Sequence, residues 1–236
     1  GQLSQAGDDA VQVIVGMINA PGKGSNAQTD YALSGLSHFV MAKGQESARL
    51  VVAKAYVKAL GSVSERETKA FIIRQLQIMG GDEAVDALAD YLTDKELSGP
   101  ASRALARIAT PAAGEALMAG LKSRVAMGAK AKRDMVNAIA EAKVAGAEEL
   151  LLTFVGSQDI DQQKTVLYAL SQVGGEASLK VLGDAAAQAG YTMEKSGANE
   201  SYIELIKNIA AKGNVAAAEK AAKDLQKKAE KANQLQ

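Results

Sequence analysis

The chain has 236 residues, 47% hydrophobic but only 4% aromatic, with 27 basic and 27 acidic side chains and zero formal net charge. That length supports a large core in one domain or one repeat array, and the neutral balance disfavours a dedicated nucleic-acid binder, which needs a basic field to displace counterions. There is no cysteine, which excludes disulfides, thiolate metal sites and cysteine nucleophiles; no apolar run approaches the roughly 20 residues of a membrane span, and no signal peptide is visible.

Asp8 to Ala20 reads as a first helix, with Val11, Ile14, Val15 and Ile18 on one face. Pro21 to Asn26 reads as a loop. Its Gly-Lys-Gly-Ser order fails the phosphate-loop pattern G-x-x-x-x-G-K-[ST], and a helix rather than a strand precedes it. Thr29–Ala42 and Gln45–Leu60 form a helix pair joined at Lys43-Gly44. Leu33, Leu36, Phe39 and Val40 are expected on the first core face, and Leu50, Val51, Ala55, Val57 and Leu60 on the second. His38 is the only histidine. With no second histidine or carboxylate motif beside it, it reads as a boundary or solvated side chain rather than a ligand or general base.

Ser64 to Ser123 is the stretch around which the rest is organised. Ser64-Glu-Arg-Glu67 has the form of a capping box. Ala70, Ile72, Ile73, Leu76 and Met79 form the stripe of an amphipathic helix. Gly80-Gly81 is expected to close it in the left-handed conformation, and Asp82 to cap the next helix, which carries Val85, Leu88, Ala89 and Leu92. Gly99-Pro100 places proline at a first helical position, followed by Ala101, Ala104, Leu105 and Ile108. Thr110-Pro111 repeats the cap-plus-proline signal ahead of Ala113, Leu117 and Leu121.

The same plan continues downstream. Ala129–Lys143 carries Ala131, Met135, Ala138, Ile139 and Ala142, and Gly146–Val155 is its short partner. Asp159 to Gln162 resembles a capping box and opens a helix with Val166, Leu167, Leu170 and Val173, closed by Gly174-Gly175. Leu179, Val181 and Leu182 mark its partner. After a loop at Gly190–Ala198, a helix running to Ala211 turns Tyr202, Leu205, Ile206 and Ile209 inward. Val215 to Leu235 is rich in Ala, Lys and Glu. Its Glu219–Lys223 and Asp224–Lys228 pairs are worth about 0.2–0.5 kcal/mol each, and it reads as a terminal cap or a helical linker.

The framework positions Leu76, Leu105, Ile139, Leu170 and Ile206 recur at steps of 29, 34, 31 and 36 residues. A helix pair repeating at this period signals an α-solenoid, because one pair cannot bury its own apolar face. The expected fold is therefore all-α: a right-handed α-α superhelix of about six helix pairs, forming one helical-repeat domain over 1–236. Within it, 1–25 is an N-terminal helix and loop, 26–212 the stacked pairs, and 213–236 a capping or linker helix.

Gly80-Gly-Asp-Glu-Ala-Val-Asp-Ala-Leu88 resembles the inter-helix turn of short HEAT-like repeats, and Gly174-Gly-Glu-Ala-Ser-Leu179 and Thr110-Pro-Ala-Ala-Gly-Glu-Ala-Leu117 match more loosely. The resemblance spans about Thr29 to Lys212. Lys69, Ser98, Lys132 and Gln163 stand where that family often has Arg, and the turn aspartate survives only as Asp82, so no regular Asp–Arg ladder is expected. More narrowly, the run Ala70 to Leu121, with its Ile-Arg-Gln-Leu-Gln and Thr-Pro-Ala-Ala-Gly segments, is similar to the N-terminal helical-repeat region of large exported bacterial proteins. Those end in a concanavalin-like domain of the 3-keto-disaccharide hydrolase type, which these 236 residues do not contain. The resemblance implies a periplasmic or secreted location and a carbohydrate-linked context.

No Gly-x-Ser-x-Gly elbow is present, and no catalytic, cofactor-binding or metal-binding residue is nominated. Asp82, Glu83, Asp86, Asp159 and Asp161 sit at helix starts, where they favour the dipole. The one basic cluster, Lys122, Arg124, Lys130, Lys132 and Arg133, is the candidate interaction patch for a phosphate or an acidic partner. These observations point to a non-catalytic protein-interaction scaffold, a module of a larger exported carbohydrate-related protein. Its partner would be another protein or an adjoining domain of the same chain. The competing expectations are a helical-repeat nucleic-acid-binding or glycosylase-like protein, and a carbohydrate-active hydrolase component.

Overall fold

The structure is a computed structural model that describes residues 2–20, 22–123 and 127–233, with side chains described from residue 9 to residue 232 of these. The described residues are helical, with no strand among them. In chain order the elements are α1 (Gln2–Gly16), α2 (Ala27–Phe39), α3 (Glu46–Ser62), α4 (Arg66–Met79), a 3-10 turn (Asp82–Ala84) and α5 (Val85–Ala89). There follow α6 (Ser98–Ile108), α7 (Pro111–Lys122), α8 (Ala129–Glu141), α9 (Glu148–Leu152), α10 (Ile160–Val173), α11 (Glu176–Gln188), α12 (Ala198–Ala211) and α13 (Val215–Asn233).

The chain forms two compact units, Gly1–Met135 and Val136–Gln236. In the first, α2 packs on α4 and α4 on α6, while α3 packs on α5 and α5 on α7. First helices thus stack on first helices and second on second, with α1 covering α3 and α2. In the second unit, α10 packs on α12 and α11 on α13, with α12 also against α11 and α13. Stacked helix pairs of this kind bury what a single pair cannot. All five framework positions, Leu76, Leu105, Ile139, Leu170 and Ile206, are buried.

The local signals held where the partner groups are close in sequence. Thr110 accepts the Ala113 N–H at 3.3 Å with Pro111 as the first helical residue. Asp159 caps α10 by accepting from Asp161 and Gln162 N–H at 2.9 and 3.2 Å. In α13 the Lys223–Glu219 and Lys228–Asp224 pairs close at 3.3 and 2.7 Å, and Ala229 and Ala232 stay half-buried; Leu235 lies outside the described residues. Asn19 and Asn26 close the first loop, Asn19 N–H donating to Asn26 Oδ1 at 2.8 Å and Asn26 Nδ2 to the Asn19 carbonyl at 3.0 Å.

Elsewhere the structure corrects the reading. α1 begins at Gln2 rather than Asp8 and stops at Gly16. The Ser64 capping box does not form: α4 starts behind Glu65, whose side chain makes no cap bond, so Ser64 sits one residue too early. Pro100 is the third residue of α6, still within the first turn, where no N–H is needed. On α3 the buried side chains are Val52, Ala53, Ala55, Tyr56, Ala59 and Leu60, while Leu50 and Val51 are 38% and 43% exposed. Phe39 on α2 is 41% exposed. The register of α3 follows Tyr56, which is fully buried because its hydroxyl has somewhere to go. It donates to the Leu33 carbonyl at 2.9 Å, with Ser37 Oγ 3.3 Å away.

Gly80 is extended, with φ −65°, rather than left-handed. Glycine is required there for another reason: a Cβ would lie 2.5 Å from the Leu76 carbonyl oxygen. Gly174, three repeat steps later, has the same φ of −65°, and its Cβ would collide with the Leu170 carbonyl and Ser178 Oγ. Two turns remote in sequence thus share one geometry.

Candidate functional site

The two glycine turns are held by charged side chains. Asp82 does not cap the helix that follows Gly81; its Oδ1 accepts from Thr110 Oγ1 at 2.5 Å. Glu83 takes the Gly81 N–H at 3.0 Å and pairs with Arg49 of α3 at 2.6 Å, while Arg49 also donates to the Met79 carbonyl at 2.8 Å. Burial pulls the Glu83 carboxyl upward, but the Arg49 hydrogen bond and charge and the turn amides outweigh it and hold it below the ordinary range. At the second turn the carboxylate comes from α9. Glu148 Oε1 accepts Gly175 N–H, Ser178 N–H and Ser178 Oγ at 2.8, 2.9 and 2.7 Å. Lys212 donates to the Gly174 carbonyl at 3.3 Å from the far side. The effect of these contacts is to lock one helix pair onto the next.

The basic cluster is distributed over two helix ends of the first unit. Lys122 is exposed at the end of α7, and Lys130, Lys132 and Arg133 occupy the first turns of α8. Arg124 lies outside the described residues. Lys130 pairs with Asp134 at 2.7 Å, and Ser98 donates to the same carboxylate oxygen at 3.4 Å. Around Gly99, Asp134, Lys130 and Arg103 converge: a Cβ there would lie 3.1 to 3.3 Å from all three. The sequence reading missed Arg103 and Asp134, which sit on the helix faces that bring α6 and α8 to the cluster. Asp134 offsets part of the positive field at this place. His38 is exposed in the last turn of α2, and among the described residues no group of three or more His, Asp or Glu is arranged to hold a metal ion.

Two further surface features stand out. Among the described residues, over half of the large apolar side chains that are exposed fall between Val13 and Val51, on α1 to α3 and the turns that follow α1 and α2: Val13, Met17, Tyr31, Phe39, Met41, Leu50 and Val51. In the second unit, α11, α12 and α13 enclose a cleft of 620 Å³ with Tyr202 at its base and lysines and carboxylates on both walls.

No protein-family model matches the chain, and no curated protein matches it. A solved engineered protein from the Northeast Structural Genomics Consortium is similar at 18% identity, over 94% of this chain and 97% of that one, with a TM-score of 0.45.

Proposed function

We propose that this chain is a HEAT-like helical-repeat scaffold that works by binding another protein, without turnover of its own. The observation that carries the reading is the concentration of exposed apolar side chains between Val13 and Val51, including Met17, Phe39, Leu50 and Val51. Isolated exposed apolar residues are ordinary, but their concentration in one stretch, around α2 and α3 that both pack on α1, supports a protein-contact surface. The locked turn at Gly80 supports the same reading, because Glu83 and the Met79 carbonyl tie Arg49, and with it α3, to the next helix pair. A right-handed superhelix and an exported, carbohydrate-linked setting complete the proposal. Both rest on the repeat spacing and on the Ala70 to Leu121 motifs.

The test has two arms. A photo-crosslinker at Val51 should give a discrete protein adduct in an extract of the source cells. Excess unlabelled chain should compete it away, but the Met17→Lys variant should not. In parallel, the purified chain should show no turnover on disaccharide, 3-keto-sugar or nucleic-acid substrates. Turnover that disappears in His38→Ala, or in one carboxylate variant that stays folded, would overturn the scaffold reading.

A further inference from the structure

Glycine in the middle of a helix is destabilising relative to alanine, and it is used where another group must come close. Inside α7 and α11 that group belongs to this chain. A Cβ on Gly120 would lie 2.7 Å from Leu92 Cδ1, and one on Gly183 would lie 3.3 Å from Tyr202 Cζ. Gly35 differs. It is interior to α2 and exposed, and a Cβ there would meet nothing within 4 Å beyond its own helix turn. Among the described residues, nothing uses the room that Gly35 leaves.

Two aromatic side chains flank the gap. Tyr31 and Phe39 stand four residues before and after Gly35 on the same face of α2, and they are 84% and 41% exposed. Gln28 and His38 are exposed beside them. None of these positions is Asp, Glu, Lys or Arg, in a chain of which 23% is charged. The other side of the helix is the buried one, with Leu33, Leu36 and Ser37. The outward face of α2 is therefore two aromatic ridges with a notch midway between them.

We propose that a second copy of this chain occupies that face, α2 packing antiparallel on its twin about a two-fold axis at Gly35. In such a contact, if residue i meets residue j then j also meets i. About this axis Tyr31 of one copy faces Phe39 of the other, twice, each pair about 6 Å along the helix from the axis. The rings then make two aromatic pairs, and the two glycines let the backbones close between them. The antiparallel macrodipoles set each N-terminus beside the other copy's C-terminus. A face without formal charge meets its own copy with no like-charge repulsion, whereas an acidic or a basic partner finds no counter-charge on it. The two aromatics expose roughly 250 Å² per copy, about a third of the roughly 800 Å² that each partner of a stable interface buries. The dimer is accordingly weak and concentration-dependent. This assignment rests on the reading of the Val13 to Val51 stretch as a protein-contact surface, and it names the partner for the α2 part of it.

The test is sedimentation velocity of the purified full chain from about 1 µM to about 1 mM. The weight-average mass should climb from the 24.4 kDa of one chain toward twice that value, with a midpoint at or above about 10 µM. Tyr31→Ala should weaken self-association about tenfold with an unchanged melting temperature. Gly35→Gln should weaken it by about tenfold or more, yet raise the melting temperature, because glutamine is the better helix former and the space around it is open. Val215→Lys, which charges a 52% exposed apolar position on α13, should leave association at wild-type strength. A single 24.4 kDa species across the range would overturn the assignment. So would wild-type association in Tyr31→Ala and Gly35→Gln, or an equal loss in Val215→Lys. The crosslink at Val51 reports on the scaffold reading separately: a chain that stays monomeric but still forms an adduct with another protein keeps that reading and removes this one.

Discussion

Glu148 offers the sharpest test of how the repeats are joined. α11 has glycine at its N-cap and no cap from its own side chains. The missing acceptor arrives from α9, where a single carboxylate oxygen takes the Gly175 and Ser178 amides and the Ser178 hydroxyl. An N-cap acceptor is worth about 0.5–2 kcal/mol, and a carboxylate beside a helix N-terminus adds about 0.3–1 kcal/mol. Glu148 is half-buried, so solvent screens part of the charge contribution. Glu148→Ala should therefore cost about 2 kcal/mol, and Glu148→Gln, which keeps an acceptor but not the charge, about 1 kcal/mol. Urea unfolding followed by circular dichroism measures both. The pH dependence adds a second constraint. Burial alone would raise this carboxyl, but the Ser178 hydroxyl, the Gly175 and Ser178 amides and the Lys212 charge together hold it below its ordinary value. A carboxyl lowered in the folded state contributes stability above its unfolded pKa and loses it as the pH falls through the folded value. The gap between wild type and Glu148→Gln should be full at neutral pH and close below about pH 4. A cost under about 0.5 kcal/mol for Glu148→Ala, or a glutamine gap unchanged in acid, would refute the idea that α9 caps α11.

Leu105 is fully buried on α6, so Leu105→Ala should cost about 2–5 kcal/mol in urea unfolding; a loss under about 0.5 kcal/mol would mean that α6 does not carry the core. Helices α8, α11 and α12 end alike, the amide three residues past each reaching back to the carbonyls of Ile139, Ala186 and Ile209, but α8 places Lys143 at φ 49° where the others have Gly190 and Gly213. Lys143→Gly should therefore raise stability by about 0.5–1 kcal/mol, while Gly213→Ala, at φ 94°, should lower it by about 1 kcal/mol. Gly80→Ala and Gly174→Ala should each destabilise by about 1–3 kcal/mol, since the added methyl meets a backbone carbonyl that cannot swing aside; thermal melts that match wild type would show that the turns relax freely.

What the sequence disclosed depended on how far apart the interacting groups lie. Thr110, Pro111 and Asp159 were readable because each cap bonds an amide two or three residues away. The Glu148 cap was invisible, since its nearest partner is 27 residues distant. The faces of α4, α6 and α12 were clear because polar residues separate their stripes. α3 was not, because Leu50 to Tyr56 is nearly all apolar and the helix contacts α1, α4, α5 and the 3-10 turn. Nothing in such a run says which residues are inward; Tyr56 decides it through the Leu33 carbonyl, a partner on another helix. The basic cluster was legible as composition, yet its counter-charge Asp134 and its neighbour Arg103 came into view only when α6 and α8 were placed. Tyr202 was correctly placed inward, but that its hydroxyl faces an open cleft depends on Gly183 of another helix.

The capping of α11 by a residue of α9 also bears on how the second unit opens and closes. A helix that carries its own cap can fray and re-form as a local event. The amides of Gly175 and Ser178 are bonded to Glu148 only while α9 is docked, so their exchange with solvent deuterium must wait for α9 to leave. Native-state hydrogen exchange should then show these two amides opening with the same free energy and denaturant dependence as the Leu151 amide of α9, as one cooperative unit rather than as a fraying helix end. In refolding, the first turn of α11 should gain its cap only after α9 has docked.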